Sequence, residues 1–531
     1  MAAESWDTLH APGSPRTHWS TDNVGEAAPG VLTPFSWSMW GKTGDRMPRR
    51  IAHSMGVFSG NDLENFPVIV RPFYGRVAMQ MEYLATVGDR MPGTSGVEIV
   101  TNMLGRVPET MEFRPTRRRY PMIAYKLPHS MLTAPRAVRR QAPIVDGWWR
   151  TEVARIGDLQ MPAAVTALRQ AVAKFDFVLT IHSLALLSVV QPLLVELTAL
   201  VERTGVGEVG ALSGTGGAEM AIVRDIWAAS RGSGSIADIV AHHGFHGPLE
   251  GEASSRVWRE DPTPLARMID GYKGIPDTES PVLRERLAKE RLPSIQREVL
   301  AAVPLTRRPG TRLLLQTSAR TIPLRGVGKR SFLQSLDVAR CAARRIGALL
   351  AEDGKLEDAD DVFYLTVEEL CGPMPENGAE LVMLRRARRE EYQTLELPGN
   401  WQGNPAVKQR LPDDQHVGEE VITGIGASSG TVEGIVRVVL DPTFAEVEPD
   451  EILVTTTTDP SWASIMFMSS ALIVDIGGML SHAAVVAREL GIPCVVNTRN
   501  GTHNLRTGDR VCVNGNSGTV TVIQRAEIAA G

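Results

Sequence analysis

Asp475-Ile-Gly-Gly-Met-Leu-Ser-His482-Ala-Ala-Val-Val-Ala-Arg488-Glu-Leu-Gly-Ile-Pro493-Cys-Val-Val496 is the stretch whose reading decides the C-terminal fold. Residues 471–476 are apolar and β-branched, which predicts a buried strand. Gly477 and Gly478 predict a turn with unusual backbone angles. Ser481 suits a helix N-cap, and residues 482–490 carry a helical pattern of alanines and apolar residues. Gly491 and Pro493 end that helix, and Cys494 starts another strand. His482 is therefore expected in the first turn of a helix, behind a glycine turn.

That position suits anion chemistry. Unpaired backbone N–H groups and the positive end of the helix dipole favour negative charge there. An imidazole nitrogen is also a nucleophile able to form a covalent intermediate. A neutral histidine that merely lines the helix start fits the same local pattern.

The longer motif separates these readings. Gly-Gly-Met-Leu-Ser-His-Ala-Ala-Val-Val-Ala-Arg-Glu-Leu-Gly-Ile-Pro resembles the signature of the swivelling phosphohistidine domain. That domain occurs in phosphoenolpyruvate-utilising enzymes, pyruvate phosphate dikinases and rifampicin phosphotransferases. The likeness continues through residues 423–430, Thr458-Asp-Pro-Ser-Trp462, Leu505-Arg-Thr-Gly-Asp and Val513-Asn-Gly-Asn-Ser-Gly-Thr-Val, and covers residues 421–523. The resemblance implies that His482 carries a phosphoryl group, with Gly477, Gly478 and Ser481 around the phosphate.

At 531 residues the chain is too long for one ordinary core, so two or three domains are expected. A hydrophobic content of 43% supports globular folding, and a formal charge of −5 gives no reason to expect nucleic acid or an anionic membrane. Cys341, Cys371, Cys494 and Cys512 show neither metal spacing nor a disulfide framework. They fit a reducing cytoplasm, with the two in strand-like runs buried. The N-terminus has no signal-peptide pattern. Residues 175–200 are the most apolar run. His182, Gln191, Pro192 and Glu196 interrupt it, which argues for a buried helix or helix pair over a membrane span.

Residues 18–37 are heavily punctuated by Gly and Pro, which argues against a regular element, although Thr33-Pro34 predicts a helix start. Their Asn-x-Gly-Glu…Pro-Gly…Thr-Pro order resembles the start of the acceptor-binding domain of rifampicin-phosphotransferase-like proteins. Residues 68–85 and 97–104 read as short helical or mixed elements. Arg114 to Tyr120 is a basic patch, read as a solvated face or helix end. Gly214-Thr-Gly-Gly217 lacks a preceding strand and a Walker lysine, so it reads as a turn before a helix. His242-His-Gly-Phe-His246-Gly-Pro-Leu-Glu250-Gly-Glu252 is rich in potential ligands, but Gly and Pro deny it one helical face, so no metal is assigned. Through Pro262 it resembles a Gly-His-Arg-Gly-Pro-x-Glu…Arg-Trp-x-Glu-Asp-Pro element of the same family. Phe245 and His246 depart from that pattern, while Gly247, Pro248 and Glu250 match it.

Gly328-Lys329 lacks the flanking residues of a P-loop. Residues 331–351 predict a long helix. If it starts early, Arg325 and Lys329 share a face. They match the ends of an Arg-Glu-x-x-Lys element of the family, with Gly326 replacing the Glu. Two cations there suit an incoming phosphoryl group. Residues 354–370 predict a turn, a short strand and a capped helix. Residues 397–405 read as a linker.

The expected class is α+β multidomain. A flexible tail (1–17) precedes a mostly helical acceptor-binding domain (18–395), a linker (396–417) and a C-terminal α/β swivelling phosphohistidine domain (418–531). Its resemblance implies a phosphotransferase with His482 as carrier, Arg325 and Lys329 as phosphoryl-binding cations, and His182, His246 and Glu250 at the acceptor. No ATP-grasp segment is recognised, so ATP and Mg²⁺ are expected on a separate ATP-grasp subunit. The acceptor is expected to be a small-molecule hydroxyl, without nucleic acid or membrane. Phe245 and Gly326 keep open a degenerate ligand-binding or regulatory protein, or a phosphocarrier acting on another protein.

Overall fold

The computed structural model describes residues 6–22, 24–104, 107–207, 209–213, 218–409, 419–440, 447–448, 450–458, 462–478 and 481–526. The first residues of the expected tail, Asn23, the Gly214–Gly217 turn, residues 410–417 of the expected linker, Asp459–Ser461 and Met479-Leu480 lie outside the described residues. The chain forms two compact units. One gathers residues 1–188, 249–255 and 328–410, and the other gathers 189–248, 256–327 and 411–531. The expected 18–395 body is thus divided between them.

In the first unit, β1 (His18–Ser20), β2 (Val70–Phe73), β3 (Arg76–Gln80) and β5 (Asn400–Gln402) form an antiparallel sheet in the order β2-β3-β1-β5. A short β4 (Leu395–Glu396) pairs with β6 (Lys408–Gln409). Two expectations are corrected here. Residues 18–20 are a strand, because backbone pairing with Trp401 and Gln80 overrides the local Gly and Pro signals. The same pairing makes residues 400–402 of the expected linker a sheet strand. The β2–β3 turn is Tyr74-Gly75, with φ of 50° and 74°, a two-residue turn whose positive φ values match strand twist.

Helices Pro34–Ser54, Tyr120–Arg155 and Met161–Ala185 build the rest of this unit, with most of Leu324–Glu352. Thr33 caps the first, with Pro34 inside its first turn, as the sequence predicts. Arg119 stands at the N-cap of Tyr120–Arg155, and Arg117 and Arg118 are exposed, in line with a helix end. Trp40 meets Phe175 edge-on at 5.1 Å, and Phe175 meets Phe332 at 6.2 Å. Residues 359–364 form a 3-10 helix where a short strand is predicted; Asp358 caps it and favours the turn. The run Met161–Thr204 is long and apolar enough to cross a membrane by length and composition. Its Phe175, Val178 and Leu179 are buried in the first unit, and Leu194, Leu197 and Leu200 in the second.

The second unit combines helices Gln191–Thr204, Ala218–Ser230, Ile236–His243, Thr263–Lys273, Pro281–Ala302 and Arg308–Thr321 with an eight-stranded sheet. Its strands are β7 (Val421–Thr423), β8 (Ile425–Ser428), β9 (Thr431–Val438), β10 (Ile452–Thr455), β11 (Ala471–Val474), β12 (Cys494–Val496), β13 (Arg510–Asn514) and β14 (Thr519–Gln524). The order is β7-β14-β13-β9-β10-β11-β12-β8, with β9 to β12 mutually parallel. β10, β11 and β12 are buried at every position, as a covered parallel sheet requires. The helix His482–Leu490 connects β11 to β12 and buries Ala483, Ala484, Val486 and Ala487. Helix Ala463–Met468 carries Phe467 into the core of the neighbouring helices, where it stacks on Tyr272 at 5.4 Å. The class is therefore α+β, mostly helical before a C-terminal α/β sheet.

Trp40 also donates its indole N–H to the Gly251 carbonyl at 2.8 Å. Trp40→Ala is expected to cost the first unit about 3–5 kcal/mol in urea denaturation.

Candidate functional site

The buried parallel strand β11 ends at Val474, Asp475 follows it, and the chain turns before entering the helix. Asp475 is buried and accepts from Thr498 Oγ1 at 2.7 Å, the Gly501 N–H at 2.6 Å and the Thr502 N–H at 3.2 Å. Burial pushes its carboxyl above the usual range, and these donors oppose that shift. The loop after β12 is thereby tied to the end of β11. A Cβ on Gly477 would lie 3.1 Å from Ser481 Oγ, so glycine permits this tight return. Gly478 faces open space. Ser481 caps the helix by accepting from the Ala484 N–H at 3.2 Å.

His482 occupies the first helical position and is 4% exposed. Its Nδ1 shares a hydrogen bond of 3.0 Å with Thr458 Oγ1. That bond orients the ring and commits one nitrogen, so reaction through Nε2 is the geometry it favours. Thr458 was not among the expected site residues. Its signal was present, since it opens the Thr458-Asp-Pro-Ser-Trp462 part of the motif.

The remaining expected residues fall in both units. Arg325 and Lys329 lie in the first turns of one helix, Leu324–Glu352, which starts as early as a shared face requires. Arg325 and His246 belong to the second unit, whereas Lys329, Glu250 and His182 belong to the first. Lys329 Nζ stands 3.6 Å from Glu250 Oε2, joining an expected phosphoryl-binding cation to an expected acceptor-binding carboxylate. His182 is buried and packs on Phe332 at 5.6 Å. A Cβ on Gly328 would lie 2.3 Å from His182 Nδ1, so the glycine beside Lys329 serves helix packing. His246 is buried between Phe245, at 4.2 Å, and Trp258, at 5.7 Å between ring centres.

Glu250 is held in place by its neighbours. Glu252 accepts from the Thr33 N–H at 2.8 Å, Thr33 Oγ1 at 2.7 Å and Ser36 Oγ at 2.7 Å. Arg340 donates to the Ala253 and Glu252 carbonyls at 3.0 and 3.3 Å, and to Asp337 at 3.0 Å. His243 instead turns to Asp225 at 3.0 Å. Among the described residues no group of three or more His, Cys, Asp or Glu side chains is placed to hold a metal.

Residues 447–518 match the mobile domain of phosphoenolpyruvate-utilising enzymes, and residues 228–326 match the fourth domain of rifampicin phosphotransferase. The chain is 38% identical over 200 residues to an uncharacterised phosphotransferase, YvkC, of Bacillus subtilis, covering 35% of this chain and 24% of that protein. It is 37% identical over 178 residues to the rifampicin phosphotransferase of Streptomyces sviceus, covering 33% of this chain and 20% of that protein. To the rifampicin phosphotransferase of Bacillus subtilis it is 26% identical over 297 residues, covering 54% and 34%. The chain thus spans between a fifth and about a third of these relatives' length. Its likeness to rifampicin phosphotransferases and phosphoenolpyruvate-utilising enzymes is shown over residues 228–326 and 447–518.

Lys329→Met removes a cation that stands 3.6 Å from the buried Glu250. It is expected to lower stability by about 1–3 kcal/mol, with the Lys329→Met, Glu250→Gln double variant recovering part of the loss in denaturant titrations.

Proposed function

We propose that this chain, a relative of the rifampicin phosphotransferases, carries a phosphoryl group on His482 and passes it to a hydroxyl of a small-molecule acceptor. The observation that carries this reading is the placement of His482. It stands at the N-terminus of a helix, at the C-terminal end of a buried parallel strand, with Nδ1 engaged by Thr458. Crevices at such strand ends are where ligands bind in parallel sheets.

In the first step Nε2 attacks a phosphoryl group of ATP, forming the N–P bond as a P–O bond breaks. The Thr458 hydrogen bond orients the imidazole as charge develops on it. The nucleotide and Mg²⁺ belong to a partner ATP-grasp protein. The imidazole is buried, so the reaction requires an opening that exposes Nε2 to donor and acceptor. In the second step the acceptor oxygen forms the O–P bond as the N–P bond breaks. The hydroxyl proton leaves to a base, and Glu250 is the carboxylate assigned to that task. Lys329 beside it neutralises the phosphoryl charge, since a loose transition state asks chiefly for positioning and charge compensation. Rifampicin, which gives two of the relatives their name, is the first acceptor to try.

The test is intact-mass and acid-lability analysis after incubation with Mg-ATP and ATP-grasp proteins from the same source. An acid-labile added phosphate is expected on the parent chain, and none on His482→Ala. Labelling of His482→Ala, or no label on a folded parent chain with any donor, would sink the proposal. Thr458→Val is expected to slow labelling by about tenfold, the equivalent of one lost hydrogen bond, while leaving the melting temperature nearly unchanged.

A further inference from the structure

Away from His482, a hydroxyl, an imidazole and a carboxylate stand in line. Thr110 Oγ1 lies 2.8 Å from His18 Nε2, and His18 Nδ1 lies 2.7 Å from Glu82 Oε1. All three residues belong to the first unit.

The sheet sets this line of contacts. β1 runs antiparallel to both β3 and β5, and its register pairs Trp19 with Gln80 and His18 with Gln402. β3 ends at Gln80 and the helix Met81–Arg90 starts directly after it, so Glu82 arrives beside His18 in the first helical turn. A helix start favours a carboxylate. Glu82 Oε1 accepts from the His18 backbone N–H at 2.9 Å as well as meeting the ring. Glu82 Oε2 is buried with no hydrogen-bond partner among the described residues, so the carboxylate is committed to His18. The His18 side chain is 5% exposed, whereas Thr110 is exposed. The imidazole is thus shielded, and the hydroxyl is open to an incoming reagent.

Proton roles follow from these partners. A carboxylate only accepts, so Nδ1 carries a proton. In the neutral ring Nε2 is then an acceptor, and the Thr110 hydroxyl is the donor that meets it. Gln402 Oε1, 3.3 Å from Thr110 Oγ1, accepts that hydrogen when the ring is charged. A hydroxyl on a histidine that a carboxylate orients is the arrangement of an activated nucleophile. Among the described residues, the hydrogen-bond partners of these three side chains include no lysine or arginine. A neutral acyl carbon therefore suits the site better than a phosphoryl group, whose charge asks for neutralisation.

We propose that Thr110 is a nucleophile for acyl transfer from activated esters, with His18 as its base and Glu82 as the positioning residue. Thr110 Oγ1 bonds to the acyl carbon as its proton passes to His18 Nε2. The ester C–O bond then breaks, and the proton leaves with the departing alcohol. The product is an O-acylated threonine. The inference is independent of phosphoryl transfer.

Incubating the full chain with p-nitrophenyl acetate tests it, with peptide mass mapping to place the acetyl groups. Lysine acetylation in the same molecules is the internal reference. Expected is acetylation of Thr110 that saturates with ester concentration, and a fast phase of p-nitrophenolate release that accompanies it. His18→Gln is expected to slow Thr110 acetylation by about a hundredfold while lysine acetylation is unchanged. Glu82→Gln is expected to lower the limiting rate by about tenfold and leave the half-saturating ester concentration unchanged. If His18→Gln does not fold, the exposed position decides: Thr110→Val is expected to lose the fast phase and Thr110→Ser to keep it. No acetyl group on Thr110 of the folded parent chain overturns the proposal. So does an undiminished fast phase in Thr110→Val, or parent-rate acetylation of Thr110 in folded His18→Gln. None of these results bears on His482 labelling, so the two readings fail separately.

Discussion

The candidate site depends on one buried carboxylate. Asp475 directly follows β11 and collects donors from Thr498, Gly501 and Thr502, which lie beyond the next strand. A buried carboxylate is tolerable only when its oxygens are so occupied. The three donors fix the β12 loop against the strand end, and the strand end sets where the glycine turn begins. From there the Ser481 cap and the first turn of the helix follow, and with them the position of His482. Thr458 then holds the His482 ring by its hydrogen bond to Nδ1.

A second buried carboxylate plays the corresponding part in the first unit. Glu252 caps the start of helix Pro34–Ser54 through Thr33 and Ser36, and Arg340 grips the backbone beside it. This pins a seven-residue segment, 249–255, that joins the first unit although the sequence on either side belongs to the second. Glu250 lies within that segment and meets Lys329. Leu249, just before it, has φ of 52°, an uncommon angle for a leucine. Strain of this kind persists where the surroundings over-determine the backbone, and here Glu252 and Arg340 do so.

Local signals were strong where the backbone obeys them. The β11 run, the Ser481 cap, the helix from His482 to Leu490 and the Gly491 stop appear as the sequence predicts, with Gly491 at φ of 69°. β12 also falls on the run from Cys494 that reads as a strand. Short strands without an apolar run were not legible. β1 and β5 exist because distant segments complete each other's hydrogen bonds. Their side chains carry little period-2 pattern, and pairing partners hundreds of residues apart leave no local trace.

Taken alone, the sequence determined the phosphohistidine-type motif, the α+β class and a long helix over residues 331–351; its start at Leu324, which takes in Arg325 and Lys329, came from the structure. Each of these rests on residues close together along the chain, where turn, cap and periodicity act directly. Tertiary structure decided which side chains meet: Thr458 with His482, Lys329 with Glu250, and Thr110 with His18. It also gave Gly328 its meaning, as the gap that admits His182. These pairings come from packing between elements, where burial and unmet hydrogen bonds choose partners that sequence spacing does not encode.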